Sequence, residues 1–147
     1  MSLVLDAYEK IQSVNFGITG VTSAPTHLPD RLNDSSLPCA LTYIGPAEHG
    51  FAAGGLRKEK RTFVVRLYVQ AYAMGSDVDQ GFKAVIPFLE RFPEAYLTDS
   101  VAFPSTGEWE ELRFETGQGD GGVSIIPLHG ERGATMYWGT TFEITTI

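Results

Sequence analysis

The strongest constraint on the fold is a run of alternating side chains between Thr62 and Tyr72. Apolar residues occupy every second position, so the two sets of side chains lie on opposite faces of an extended strand. The apolar set is Phe63, Val65, Leu67, Val69 and Ala71, and the other is Thr62, Arg66, Tyr68, Gln70 and Tyr72. This pattern predicts a strand with one face against an apolar core.

A second, shorter apolar stretch runs from Cys39 to Ile44 and is followed by Gly45-Pro46, a sequence typical of a strand end. We expect these two strands to pair as a hairpin. The connection from Gly45 to Lys60 would then be a loop of about sixteen residues, far longer than the usual hairpin loop of about 2–5 residues. Residues 52–55, Ala-Ala-Gly-Gly, would form its tip.

Two segments have helical spacing, one before and one after this hairpin. In the first, Ser2 is the candidate N-cap and Gly17 the candidate end. In the second, Ser76 is the candidate N-cap, and Pro87 predicts either a kink or a restart. Pro93 would then open a short extra turn. The predicted buried stripes are Val4, Ala7, Tyr8, Ile11 and Val14 in the first helix, and Val78, Phe82, Val85, Ile86, Leu89 and Phe92 in the second.

Three further strands are predicted in the C-terminal part, over residues 109–116, 123–128 and 135–147. Asp120-Gly121 is a hairpin signal between the first two of them. The predicted order is α-β-β-α-β-β-β. It indicates an α+β fold in which two helices pack on one face of a mainly antiparallel or mixed sheet of about five strands. No linker-like stretch divides the chain, so residues 1–147 are predicted to form a single domain.

The residue types that carry catalysis or bind metals are sparse and scattered. His27, His49 and His129 fall in separate predicted loops, without the convergent spacing of a zinc site, and are expected to be solvated. Cys39 begins an apolar strand, which favours a small buried hydrophobe over a nucleophile. The glycine-rich run 117–122 joins two predicted strands and is not followed by a helix, unlike a dinucleotide-binding loop. The sequence therefore predicts no catalytic residue, metal or cofactor.

Charge is distributed unevenly along the 147 residues, which carry 11 basic and 18 acidic side chains and a formal net charge of −7. An acidic chain disfavours nucleic-acid binding through phosphate neutralisation. The basic residues cluster at Arg57, Lys58, Lys60 and Arg61, and an acidic group surrounds Trp109 at Glu108, Glu110 and Glu111. Each cluster is either a solvated surface or an interaction patch. As patches, they would let the basic cluster of one copy meet the acidic half of the next. Such a head-to-tail contact makes a ring if the rotation between copies closes.

The compartment is predicted from equally simple features. A single cysteine suits a reducing environment, and the N-terminus lacks the basic and apolar regions of a signal peptide. No apolar run approaches the ~20 residues that a membrane-spanning helix needs.

Tyr68, Tyr72 and Tyr137 lie on predicted strand faces, where they either serve an interface or are partly buried under helices.

The order of these segments and their residue patterns resemble those of the tail terminator, or tail completion, proteins of long-tailed bacteriophages. The resemblance spans most of the chain. Its features are the N-terminal helix LVLDAYEKIQSV, the segment LPCALTYIGP, the strand RTFVVRLYVQAY, the helix SDVDQGFKAVIPFLERF and the closing strand MYWGTTFEITTI. No single motif is diagnostic of the family, so no site residue is transferred from it.

The resemblance implies a structural virion protein made in the host cytoplasm, with no catalytic residues and no cofactor. Proteins of this family form a hexameric ring on the head-proximal end of the tail tube, where they stop tube growth and offer a surface for the head-side connector. The implied partners are further copies of the chain, the tail tube protein and the connector. Residues 17–38 and 45–61 are the candidate contact segments.

Two other functions remain open at this point. A head–tail connector or head-completion protein would share the virion location but lie on the head side of the neck. A small enzyme or ligand-binding domain would need a concave pocket with converging polar groups.

Overall fold

A computed structural model describes residues 3–51, 57–72, 78–98, 112–114, 122–131 and 133–146. In these ranges, two α-helices accompany the strands of one antiparallel sheet, which confirms the predicted α+β class. The helices are α1 (Leu3–Phe16) and α2 (Val78–Thr98). The strands are β1 (Cys39–Phe51), β2 (Arg57–Ala71), β3 (Leu112–Phe114), β4 (Ser124–Pro127) and β5 (Met136–Thr146). Ser2 and Ser76, the predicted N-caps, lie outside the described residues.

The sheet has the order β1-β2-β5-β3, and β4 also pairs with β5. Leu112 lies opposite Thr146, and Ser124 lies opposite Gly139, so β3 and β4 follow one another along the same edge of β5. Both are antiparallel to β5 and therefore run in the same direction. The predicted hairpin between them is wrong, because two strands of one hairpin must run in opposite directions.

The β1–β2 hairpin is confirmed, but the long loop predicted between its strands is wrong. β1 continues past Gly45-Pro46 to Phe51, and β2 already begins at Arg57. The ladder takes up one extra residue of β1 between Ile44 and Ala47, which is a β-bulge. A Cβ on Gly45 would lie 2.7 Å from the Thr62 carbonyl oxygen, so the bulge needs glycine there.

The main core lies between the helices and one face of the sheet. Its sheet side includes Phe63, Val65 and Leu67, as the alternation predicts, and its α1 side includes Ala7 and Ile11. The predicted end of α1 at Gly17 is also confirmed, where the Gly17 N–H donates to the Val14 carbonyl at 3.1 Å. The sequence pattern therefore located both halves of this core.

The alternation of β2 is interrupted near its end. Tyr68 pairs with Gly139 and Gln70 with Trp138, so β2 carries one extra residue there. The side chains beyond this bulge exchange faces. Tyr72 consequently packs against the Trp138 ring at 5.8 Å on the helix side, instead of sharing the face of Tyr68.

Helix α2 runs through Pro87 and Pro93 as one helix, so neither the restart at Pro87 nor a separate turn after Pro93 occurs. Its buried face differs from the predicted stripe. Val78, Phe82 and Ile86 are exposed (49, 44 and 43 %), whereas Phe88, which was not predicted, is buried. Gly81 explains the difference, because a Cβ at that position would overlap the indole of Trp138. The helix thus approaches the sheet along Gly81, and the face that includes Val85, Phe88 and Phe92 is buried with it.

Candidate functional site

The sheet face opposite the helices carries a second apolar cluster. Tyr68 and Tyr137 are buried in it, with their rings 5.5 Å apart edge to face. Leu32 and Leu37, from the irregular segment before β1, pack over the same cluster. The two tyrosines are therefore neither exposed interface residues nor covered by helices, because the segment between α1 and β1 covers this face.

A hydrogen-bonded chain of side chains borders this cluster. The Tyr43 hydroxyl lies 3.3 Å from the Tyr68 hydroxyl and 2.7 Å from His129 Nδ1. His129 Nε2 lies 2.6 Å from the Pro29 carbonyl oxygen. A carbonyl only accepts, so Nε2 carries the proton, and in neutral His129 the Tyr43 hydroxyl donates to Nδ1. The prediction of a solvated His129 is wrong, since both of its ring nitrogens are engaged.

His129 also has a left-handed backbone conformation, with φ of 56°. Few residues other than glycine adopt this region, and it persists only where the surroundings hold it. Here the two ring contacts hold His129 in place. Of the other histidines, His27 is exposed, and the side chain of His49 lies outside the described residues.

Arg66 adds the charge at this site. Its guanidinium carbon lies 4.9 Å from the centre of the Tyr43 ring, the geometry of a cation–π contact. Burial raises the pKa of Tyr43 well above its usual value, the hydrogen bond to Tyr68 raises it further, and Arg66 opposes the shift. Tyr43 is therefore a neutral phenol at physiological pH. Its hydroxyl links the Tyr68 hydroxyl to His129 through hydrogen bonds.

A second polar network, which the sequence analysis did not predict, is buried between α1 and β1. Gln12 Nε2 donates to the Pro25 carbonyl at 2.6 Å and to the Ala40 carbonyl at 3.0 Å. Gln12 Oε1 accepts from Asn15 Nδ2 at 3.0 Å and from Thr42 Oγ1 at 2.8 Å. Gln12 and Asn15 lie on the otherwise apolar face of α1. These two polar residues on a buried helix face were the only sequence signal for the network.

Cys39 is buried, as its place in an apolar strand predicted. Burial raises the pKa of its thiol, and a hydrogen bond from Ser23 offsets part of that shift. A thiol held protonated is a poor nucleophile. Within the described ranges, no group of three or more His, Cys, Asp and Glu side chains could hold a metal ion.

One surface cleft, of about 240 Å³, lies between the end of α1 and α2. Arg91 and Glu94 line it, and Arg91 Nη1 donates to the Thr19 carbonyl at 3.0 Å. Its volume is below the ~300–1,000 Å³ that is usual for ligand pockets. Neither helix in the described part of the chain is long and apolar enough to cross a membrane.

The predicted basic residues lie on the far half of the β1–β2 hairpin. Arg61 pairs with Thr146 near the end of β5. Arg57, Lys58 and Lys60 continue beyond that point, and among the described strands they pair with β1 alone. We call residues 47–51 and 57–60 the hairpin arm. Arg61 stands at its base and donates from Nη1 to the Gly45 carbonyl at 3.2 Å. The acidic candidates Glu108, Glu110 and Glu111 lie outside the described residues.

Comparison of the sequence with protein-family models and with curated proteins finds no match.

Proposed function

We propose that this protein is a structural virion subunit of the tail terminator type. Copies of it form a ring, hexameric as in the family it resembles, on the head-proximal end of the phage tail tube. The ring ends tube growth and offers the surface that joins the head-side connector. The order of the helices and strands along the sequence, their residue patterns and the α+β fold support this proposal.

The observation that carries the proposal is the hairpin arm. Beyond Arg61, the last β2 residue with a β5 partner in the described part of the chain, its residues pair as two strands from Glu48 opposite Lys60 to Phe51 opposite Arg57. An isolated two-stranded ribbon is only marginally stable in water. An arm of this kind is stabilised when it rests on a neighbouring molecule, and its basic residues favour an acidic neighbour.

The decisive experiment mixes the purified protein with the tail tube protein and images the tube ends by electron microscopy. We expect ring-shaped caps on tubes of limited length. If rings and caps are both absent, the proposal is wrong. Density on the head side of the neck in whole particles would instead support a head–tail connector or head-completion protein.

The contribution of the arm is tested by replacing Arg57, Lys58 and Lys60 together with serine. Arg61 is left in place because it bonds the Gly45 carbonyl. We expect assembly to weaken and to lose much of its dependence on salt. A variant with Lys10→Glu and Lys83→Ser has the same net charge and is the control. Equal assembly by both variants would show that the arm is not an electrostatic contact.

A further inference from the structure

One side of α2 and the neighbouring end of the sheet carry an apolar patch. Eight large apolar side chains are exposed in the described part of the chain, and four of them lie here. Val78, Phe82 and Ile86, which we call the exposed stripe, follow one another at intervals of four residues along α2. Ile125 of β4 pairs with Trp138, whose ring the Phe82 ring contacts edge to face at 6.4 Å. Exposed apolar side chains grouped in this way are typical of an interaction surface.

The exposed stripe is separate from the face by which α2 packs on the sheet. At the helical period, it lies about 90° around the helix from the buried Val85, Phe88 and Phe92. Leu89 and Pro93, which are partly buried, continue the stripe toward the end of α2. The domain therefore covers only part of the apolar surface of this helix, and the rest runs along its length.

Charged side chains border the exposed stripe in a self-complementary order. Lys83 and Glu90 are seven residues apart, so they project from nearly the same side of α2. Lys83 Nζ lies 3.0 Å from a carboxylate oxygen of Asp79 in its own helix, and both side chains are largely exposed. When two copies of α2 pack antiparallel about a centre next to Ile86, Lys83 of each copy lies opposite Glu90 of the other. The charges thus fit a second copy of the same helix.

We propose that this patch is the contact between two free copies of the chain, which pair through α2 packed antiparallel on α2. The two exposed stripes meet with Ile86 near the centre, and two ion pairs between Lys83 and Glu90 flank it. The contact is isologous, because the same surface serves both copies. It is separate from the proposed ring contact, which involves the hairpin arm, so changes to Lys83 leave that ring contact intact.

The size of the patch sets the strength of the pair. Each copy contributes three side chains of α2 that are about half exposed, so the contact is smaller than the ~800 Å² per partner of a standard interface. The ion pairs lie at its rim, where charges determine orientation more than affinity. We therefore expect a weak dimer, which forms at roughly 0.1 mM protein and dissociates on dilution.

Sedimentation equilibrium of the purified chain tests the pairing over a range of concentrations up to about 1 mM. We expect the average mass of the wild type to rise toward that of two chains. Ile86→Glu, which brings two like charges together at the centre, should stay monomeric. Leu28→Glu makes a matched change at an exposed position outside the patch and should dimerise like the wild type. A folded wild type that is monomeric throughout the range would overturn the inference.

Exchange of charges tests the antiparallel orientation. Lys83→Glu and Glu90→Lys each place two like-charged pairs in the dimer, and each should weaken it about tenfold. Mixing the two variants restores opposite charges at both positions, so the mixed dimer should form as strongly as the wild type. Lys10→Glu, the same charge change on α1, is the control. If both single variants dimerise as strongly as this control, or if mixing restores nothing, the inference is wrong. Circular dichroism checks that every variant is folded.

These measurements need no tail tube protein, so they are independent of the proposed function. Dimers of the wild type together with uncapped tubes would support the inference and contradict the ring. Capped tubes together with a wild type that never dimerises would support the ring and contradict the inference.

Discussion

Gln12 joins three parts of the fold through one side chain, and its replacement by methionine is the sharpest test of the packing described above. The amide is buried and uses all four of its hydrogen bonds, two as donor and two as acceptor. Methionine has nearly the same shape but forms none of these bonds. The Gln12→Met variant therefore leaves the Pro25 and Ala40 carbonyls, Asn15 and Thr42 without this partner.

The expected loss follows from the surroundings of each group. Ala40, Asn15 and Thr42 are buried, whereas Pro25 is only partly buried and can turn to water. A buried polar group left without a partner costs about 1–3 kcal/mol. Allowing for relaxation of the remaining contacts, we expect the free energy of unfolding to fall by about 3–4 kcal/mol. In a domain of this size such a loss lowers the melting temperature by roughly 6–16 °C.

Urea denaturation followed by tryptophan fluorescence and circular dichroism would measure the change, with the slope of the transition checked for two-state behaviour. Ser13→Ala, at the exposed neighbouring position of α1, is the control and should change stability by less than about 0.5 kcal/mol. A loss below about 1 kcal/mol for Gln12→Met would refute the reasoning, because the network would then contribute no more than an ordinary hydrogen bond.

Three further outcomes follow from the structure. The raised pKa of Tyr43 means that the folded state holds the phenol proton more tightly than the unfolded chain, so its contribution to stability is complete below pH ~10 and is lost as the pH rises further. Tyr43→Phe should flatten that loss in alkaline thermal melts, and an unchanged slope would contradict it. Gly81→Ala should lower the free energy of unfolding, measured by urea denaturation, by about 1–2 kcal/mol. Overlap of the new methyl group with Trp138 should outweigh the gain of about 1 kcal/mol in helix propensity. A more stable variant would show that α2 shifts freely. Phe92→Ala should cost about 3–5 kcal/mol in the same assay, whereas Phe16→Ala, at a 61 % exposed ring, should cost less than about 1 kcal/mol; similar losses would contradict the assigned core.

The clearest successes of sequence reasoning are those in which the local pattern and the fold agree. Alternation between Phe63 and Leu67 located the core face of β2, and helical spacing located the buried face of α1 up to Gly17. Both are determined by burying apolar side chains at the natural period of a strand or a helix. The pairing of β1 with β2 follows from the same requirement, because neighbouring strands in the chain most often pair.

Other features depended on contacts between residues distant in the chain. Gly45-Pro46 looks like a strand end, yet a bulge against Thr62 carries β1 onward to Phe51. The buried face of α2 turned because Gly81 allows close approach to Trp138, a contact that no helical period contains.

The candidate surfaces divide in the same way. The basic residues at 57–61 were identified from the sequence, because each side chain's charge follows from its residue type alone. Their position on the hairpin arm could be known only from the strand register. The bonds of Gln12 and His129 to the segment before β1, and the hydrogen bond between Tyr43 and His129, form where separate elements meet. A hydrogen bond across about a hundred residues leaves no periodic trace in the chain, because its partners are brought together only by the packing of all the elements between them.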